Sequence, residues 1–320
     1  MELWPLSRSS NKKSPGNAWQ RGRHTRADHG QGVWHFLLVL ATVFVVAALA
    51  TACTPTRSLE GARPPAQRPV PPGEQPWPEN HVLILAYHEV QDSDPDQTFM
   101  SVSTEHLIGH FSWLMENGYQ PVSIEQILAA RRGAATLPPK AVLLSFDDGY
   151  RSFETRVLPL LNAYEWPALL APVGRWADTP PGQNVLFGDL PVPRERFLDW
   201  QALQRIAASG RVEIAAHTDN LHFGQIANPQ GNRQPAAAIH AYNPETGQYE
   251  TDAQYRQRIR TDGQRITEKI RKTTQQAPRV WVWPDGEGNG QAIDELSKQG
   301  YELFMRGDDS GALFQRRRTR

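Results

Sequence analysis

Val142-Leu143-Leu144-Ser145-Phe146-Asp147-Asp148-Gly149-Tyr150 is the stretch on which the reading of this chain turns. An apolar run without alternation reads as a strand covered on both faces, and here it stops abruptly in two carboxylates and a glycine. Neighbouring residues of a continuing strand point to opposite sides, so Asp147 and Asp148 would part company. Gly149 allows a backbone angle that turns the chain and lets both carboxylates face one pocket at the strand's carboxyl end, where α/β enzymes place their chemistry. Two like charges so close repel, and one is driven to its neutral form unless a cation compensates. The pair therefore implies a metal. The plainer alternative is a local turn, since Asp and Gly are favoured there in any protein. Histidines elsewhere in the chain decide between the two.

The chain has 320 residues, 39% of them hydrophobic, with 34 Lys and Arg against 34 Asp and Glu. This is enough for one sizeable domain, and the neutral balance gives no hint of a nucleic-acid partner. Residues 1–32 are polar and basic, carrying Arg8, Lys12, Lys13, Arg21, Arg23 and Arg26 against Glu2 and Asp28. An apolar run, Val33 to Ala52, follows and ends at Cys53, the only cysteine. Basic flank, apolar core and small residues before a cleavage point make an export signal. Leu49-Ala50-Thr51-Ala52-Cys53 looks like a bacterial lipoprotein signal, with residues 1–52 removed and Cys53 acylated. The run is also long enough for an uncleaved membrane anchor; a lone cysteine in an exported chain favours lipidation. Thr54 beside Cys53 suits an outer-membrane lipoprotein facing the periplasm. Either way the body of the protein lies outside the cytoplasm, in the cell envelope. Residues 53–80 are rich in Pro and poor in large apolar groups, so they read as an extended tether, or as a ligand for a proline-binding module. The domain is set at 81–320.

Val82–Tyr87 is a second continuous apolar strand, ending in His88-Glu89. Beyond it, helix and strand signals alternate. Leu107, Phe111 and Leu114 share a helical face, and Ser123 to Gln126 has the form of a capping box. Phe153–Tyr164 and Glu195–Ala208 read as helices, and Ala168–Val173 and Val212–Ala216 as strands. A long helix, Ala253–Thr273, places Tyr255, Ile259, Ile266 and Ile270 on one side. Val280–Trp283 is a strand, Ala292–Gln299 a helix, and Glu302–Met305 a last strand. The alternation predicts an α/β fold with a mostly parallel sheet. Gly174–Arg194 and Phe223–Glu250 lack periodicity and read as lids, binding loops or disorder.

The strand at Val212 leads into His217-Thr218-Asp219-Asn220-Leu221-His222. On a regular helix residues at that spacing diverge by about 140°, so a shared ion requires a loop. Two His and one carboxylate leave positions open for water on a divalent metal, and they suit zinc, nickel, cobalt or ferrous iron alike.

Ser145 to Tyr150, the His-Thr-x-x-x-His segment and Val282-Trp283-Pro284-Asp285-Gly286 resemble the motifs of polysaccharide deacetylases of the NodB-homology type, carbohydrate esterase family 4. The likeness is greatest to the exported poly-β-1,6-N-acetyl-D-glucosamine N-deacetylases of biofilm matrix systems. That branch has a histidine strand ahead of the Asp pair, as Ile84 to Val90 has here, and the resemblance extends from about His81 to Gly311. It implies a deformed (β/α) barrel of about seven parallel strands and metal-dependent removal of acetyl groups from an N-acetylglucosamine polysaccharide. It also implies partners in the envelope's polysaccharide export machinery. Carried over by position, Asp148, His217 and His222 would hold the metal, Asp147 would be the general base and His88 the general acid. The backbone N–H at Asp285 would stabilise the oxyanion, and Trp200 would line the sugar groove.

The family has Tyr where Asp285 stands, and a carboxylate there is repulsive unless it turns away or pairs with a base such as Arg279. Relatives of Gram-negative type continue into a second, glycoside hydrolase-like domain, whereas this sequence reaches Arg320 in a basic string, either naturally short or truncated. Peptidoglycan or chitin-like oligomers as substrate, or polysaccharide binding without catalysis, are the competing readings.

Overall fold

The apolar runs form parallel strands, as their lack of alternation predicts. The computed structural model describes residues 77–307; the export segment, Cys53, most of the linker and the basic carboxyl-terminal string lie outside them. In chain order the first half comprises β1 (Val82–Tyr87), α1 (Thr104–Glu116), β2 (Gln120–Pro121), α2 (Ile124–Arg131), β3 (Ala141–Asp148), α3 (Leu158–Tyr164), β4 (Ala168–Pro172) and α4 (Gly174–Asp178). Then come β5 (Asn184–Phe187), β6 (Leu190–Pro193), α5 (Trp200–Ala208), β7 (Val212–Ile214), β8 (Gly224–Ile226) and β9 (Arg233–Pro235). The last are β10 (Tyr242–Asn243), β11 (Gln248–Tyr249), α6 (Asp252–Thr274), β12 (Val280–Val282), α7 (Gly290–Ser297) and β13 (Leu303–Met305).

Every residue of β3 is buried. It pairs in parallel with β1, β2 and β4, and β4 pairs in parallel with β7. A parallel bridge from Ala216 to Trp281 carries the order on to β12, which pairs in parallel with β13. The seven strands β1, β2, β3, β4, β7, β12 and β13 thus form the α/β parallel framework that the resemblance implied.

Alternate residues of β3 serve two different cores. Val142, Leu144 and Phe146 join the outer helices, meeting Phe111, Leu161, Leu203 and Ile266. Ala141 and Leu143 face inward with Leu169, Ala171, Ala215, Val280, Val282 and Met305. Ile124, Ile127 and Leu128 of α2 complete that inner cluster. The same helix reaches the far strands through its polar side: Glu125 pairs with Arg279 at 2.5 Å, and Arg131 donates to the Glu302 carbonyl. Through these contacts α2 links the β3 side of the sheet to the residues that lead into β12 and β13.

Helix starts follow their caps. Ser123 and Gln126 form the predicted capping box, and Thr251 with Gln254 forms a second one ahead of α6. The expected helix from Glu195 begins instead at Trp200, capped by Asp199 accepting from Ala202 N at 2.7 Å. Before it Arg194–Arg196 make a single 3-10 turn and Phe197 runs extended, because Phe197 and Leu198 are buried and Arg194 donates to the carbonyls of Ala177, Thr179, Phe197 and Leu198. The two aperiodic stretches have structure too: the first forms α4 and the β5–β6 hairpin, the second the β8–β9 and β10–β11 hairpins.

Leu128 is 1% exposed in the inner cluster. Replacing it with Ala is expected to cost about 2–5 kcal/mol in chemical denaturation, the range for deleting a buried leucine side chain; a cost near zero would remove α2 from the core.

Candidate active site

Register brings the chemistry-bearing residues to one end of the sheet. Tyr87 pairs with Phe146, so His88 emerges beside Asp147. Asp148 pairs with Pro172, whose carbonyl accepts from His217 N at 3.3 Å. Ala216 bridges Trp281, which puts His217 level with Val282.

The turn that gathers the carboxylates is tighter than Gly149 alone would make it. Asp148 itself has φ 72 and Gly149 φ 77, and Gly149 N donates to Asp147 O at 2.9 Å. A left-handed conformation costs a non-glycine residue about 1–2 kcal/mol, and it persists only where surroundings over-determine it. Thr218, directly after His217, is left-handed as well, with φ 68, and its Oγ1 accepts from Leu221 N at 3.1 Å. Both strand ends are thus bent toward each other by the residue next to or at the ligand.

The result is a compact triad. Nε2 of His217 and of His222 lie 3.3 and 3.1 Å from Asp148 Oδ1, and the three ligand atoms fall within 4.8 Å of one another. His217 Nδ1 sits 3.0 Å from the Val282 carbonyl, so that nitrogen carries the proton and Nε2 presents its lone pair to the triad. Both Asp148 oxygens are buried without a hydrogen-bond partner of good geometry. Lone pairs of two imidazoles and a carboxylate converging on one point, out of water, fit a divalent cation.

Electrostatics separate the two aspartates. Burial pushes Asp147 up, the imidazoles of His217 and His88 pull it back, and Asp148 adds to the rise; the net shift is upward. Ser145 Oγ donates to Asp147 Oδ1 at 2.9 Å and fixes its rotamer. Asp148 suffers the same burial, but His222 and His217 outweigh it and hold the carboxyl well below the usual range. For His217, burial depresses the ring, while Asp148 and Asp147 raise it further than burial lowers it. A proton and a cation therefore compete for the same nitrogen.

His88 is half-buried at the end of β1. Its neighbour Glu89, 6% exposed, binds Arg196 at 2.5 Å and accepts from Ser101 Oγ at 3.1 Å, tying down the loop that carries the imidazole. Asp285 occupies an exposed turn with φ 54. Arg279 does not neutralise it, being paired with Glu213 at 2.7 Å and Glu125 at 2.5 Å. Trp200 packs its ring against the outer core and donates its Nε1 to Asp178 at 2.7 Å.

Other aromatics surround the triad. The His222 ring lies 4.7 Å from Trp176 and 5.5 Å from Phe187, centroid to centroid. Phe187 pairs across its hairpin with Leu190, which is 43% exposed, and contacts Phe99 at 5.3 Å, next to Met100 at 52% exposed. Trp176, Phe187 and Leu190 come from the stretch without sequence periodicity, Phe99 and Met100 from the segment between His88 and α1, and none carried a signal beyond its apolar character. Asp262 and Lys269 of α6, which hold the histidine loop from behind, were missed too. A signal existed: Asp262 falls in the apolar stripe of Tyr255, Ile259, Ile266 and Ile270, where a carboxylate needs a reason.

Residues 134–304 match the Polysaccharide deacetylase family. The chain belongs to that family. It is 48% identical over 270 residues to the poly-β-1,6-N-acetyl-D-glucosamine N-deacetylase of Escherichia coli K12, a match that covers 84% of this chain and 39% of the relative. The chain thus spans about two fifths of the length of this and a second curated relative from Escherichia coli. Among solved structures it resembles a de-N-acetylase from Aggregatibacter actinomycetemcomitans, with 41% identity, TM-score 0.66, and coverage of 70% of this chain and 87% of that one. It also resembles the deacetylase domain of BpsB from Bordetella bronchiseptica, with 39% identity, TM-score 0.63, and coverage of 71% and 87%. Members of this family are divalent-metal hydrolases, and the Asp148, His217 and His222 cluster is where this chain offers such an ion its ligands.

A methyl group at position 149 would meet Pro172 Cβ at 2.9 Å in addition to the positive φ. Gly149→Ala is therefore expected to lower stability by about 1–3 kcal/mol and to weaken metal binding, measured by denaturation and by chelator competition on the same sample.

Proposed function

We propose that the chain is a divalent-metal-dependent amidohydrolase that removes acetyl groups from poly-β-1,6-N-acetyl-D-glucosamine during export of biofilm polysaccharide. In this reading it is held by lipid at Cys53 to the outer membrane, faces the periplasm, and works beside the polysaccharide export machinery. The observation that carries the chemistry is the convergence of Asp148, His217 and His222 with Asp147 and His88 alongside. The substrate reading is supported by the curated relatives at 48% identity, which are named for that polymer.

Asp148, His217 and His222 would hold the ion. Bound there, a divalent cation supplies a Lewis acid that polarises the acetamide carbonyl and lowers the pKa of water from about 15.7 toward about 7. Asp147, ionised, accepts the proton of the attacking water, and Ser145 keeps the accepting carboxylate in place. Water's oxygen bonds to the carbonyl carbon, the C–N bond breaks, and His88 in its protonated form delivers a proton to the departing nitrogen. Acetate and a free amine on the sugar are the products. The backbone N–H at Asp285 supports the developing negative oxygen, while the Asp285 carboxylate is exposed, where water screens its charge. Apolar faces of sugar rings need an apolar platform, and Phe187 with Leu190 and Met100 supplies one beside His222. Trp200, engaged with Asp178, is less suited to that role.

Acetate release from β-1,6-linked N-acetylglucosamine oligomers is expected to stop on chelation and return with added metal. Asp147→Asn is expected to lower kcat by about 10²–10⁴-fold, the usual contribution of a general base, with metal affinity retained. Release undiminished in that variant overturns the mechanism. Faster release from peptidoglycan or chitin-like oligomers overturns the substrate, and polymer binding without release from metal-loaded protein favours the non-catalytic alternative.

Phe187→Ala is expected to lower kcat/KM on the oligomers roughly tenfold, the scale for losing apolar contact with a substrate. The loss should lie mainly in KM, read from initial rates over a range of oligomer concentrations.

A further inference from the structure

His217 and His222 belong to one short loop, and their ring positions depend on the backbone between them. That backbone is gripped from two sides. On one side the first N–H groups of α4 point at it: Gly174 N donates to Thr218 O at 3.1 Å and Arg175 N to Asp219 O at 2.7 Å. On the other side is Asp262, a carboxylate of α6 that is 6% exposed. Its Oδ2 accepts from Asp219 N at 2.7 Å and its Oδ1 from Asn220 N at 2.8 Å.

A buried carboxylate is costly unless its charge is met. Among the described residues no Arg, Lys or His forms an ion pair with Asp262; its partners are these two amides. Two turns along α6, Lys269 binds the Asp219 side chain and also Asp178 Oδ2 at 2.5 Å. The packing between these elements leaves no slack, because a Cβ on Gly174 would lie 2.3 Å from Asp219 Oδ1 and 2.9 Å from Ile266 Cδ1. The loop also contains the left-handed Thr218, a conformation that needs outside constraint to persist.

We propose that Asp262 is a positioning residue for metal binding: by clamping the amides of Asp219 and Asn220 it fixes the separation and orientation of the two imidazole ligands. This rests on the metal-site reading above. Asp262 touches neither ion nor substrate, and acts through the backbone that joins the ligands. Hydrogen-bonding partners that orient metal ligands typically contribute about 10–100-fold in affinity, and Asp262 serves both histidines at once.

The test is a zinc titration of the chelator-stripped full chain against a chromophoric competitor, in wild type, Asp148→Ala and Asp262→Asn. Asn keeps the shape and one acceptor oxygen but loses the charge and the second acceptor. Wild type is expected to bind one equivalent, Asp148→Ala none, and Asp262→Asn to bind about 10–100-fold more weakly with the metal-free unfolding transition preserved. Asp262→Asn binding within about twofold of wild type overturns the proposal, even if the unfolding midpoint drops, because a merely structural role would move only the latter. Absence of zinc binding by wild type overturns the metal-site reading itself, a distinct result. Should Asp262→Asn not fold, hydrogen exchange in the wild-type chain decides: Asp219 and Asn220 amides protected like core amides support the clamp, and exchange at the rate of open loops overturns it.

Discussion

A carboxylate taken out of water at the end of a parallel strand must find positive charge within a few ångströms, and the architecture around Asp148 answers that demand. It is 2% exposed, with both oxygens lacking a well-formed hydrogen bond and two imidazoles at 3.1 and 3.3 Å. Parallel pairing supplies the first condition, because carboxyl ends of neighbouring strands emerge on the same side. Left-handed turns at Asp148, Gly149 and Thr218 supply the second by bending those ends toward a common point. The strain in these turns is sustained by the sheet behind them, where β3 is covered along its whole length. The inner cluster around α2 thus serves the site as well as the fold.

Much of this was legible in the sequence, because the signals were local. An uninterrupted apolar run ending in charge marks a buried strand whose end is functional, and Ser123 with Gln126 marks a helix start by chemistry confined to one turn. The spacing of His217 and His222 correctly argued for a loop. What could not be read was long-range. The helix expected from Glu195 starts at Trp200, because burying Phe197 and Leu198 and satisfying Arg194 with backbone carbonyls outweighs local helix preference. Arg279, considered as a partner for Asp285, is claimed by acids on α2 and β7 that no sequence window contains. The rim beside His222 depends on a hairpin folding back over the strand ends, which its Pro- and Gly-rich sequence does not announce.

Buried charge also explains why the loops at this end are built rather than slack. Glu89 with Arg196, Asp219 with Lys269, and Arg194 with its four carbonyls each place an ionised group where a misplaced partner would leave it unpaired at a cost of several kcal/mol. Such groups tolerate little movement, so the segments they join are held in one arrangement. Arg196 also lies 3.8 Å over the Phe99 ring, coupling the loop after His88 to the segment before α5. Rigidity of this kind suits a site whose ligands and proton carriers come from different strands, since displacement of any one by about 1 Å is enough to impair catalysis.

The opposite shifts of Asp147 and Asp148 complete the argument about roles. Both are buried and adjacent in sequence, yet burial dominates at Asp147, which faces His217, His88 and Ser145, while His222 and His217 together outweigh it at Asp148. Environments that drive two carboxylates apart in this way assign them different work. The one held below the usual carboxylate range by two imidazoles is suited to bind a cation. The one poised upward, with Ser145 and two imidazoles moderating the rise, is suited to take up a proton and release it in each cycle. Exchanging the two residues' tasks would require exchanging their surroundings, and those surroundings are fixed by register: Asp147 follows the strand beside His88, and Asp148 leaves it toward the histidine loop.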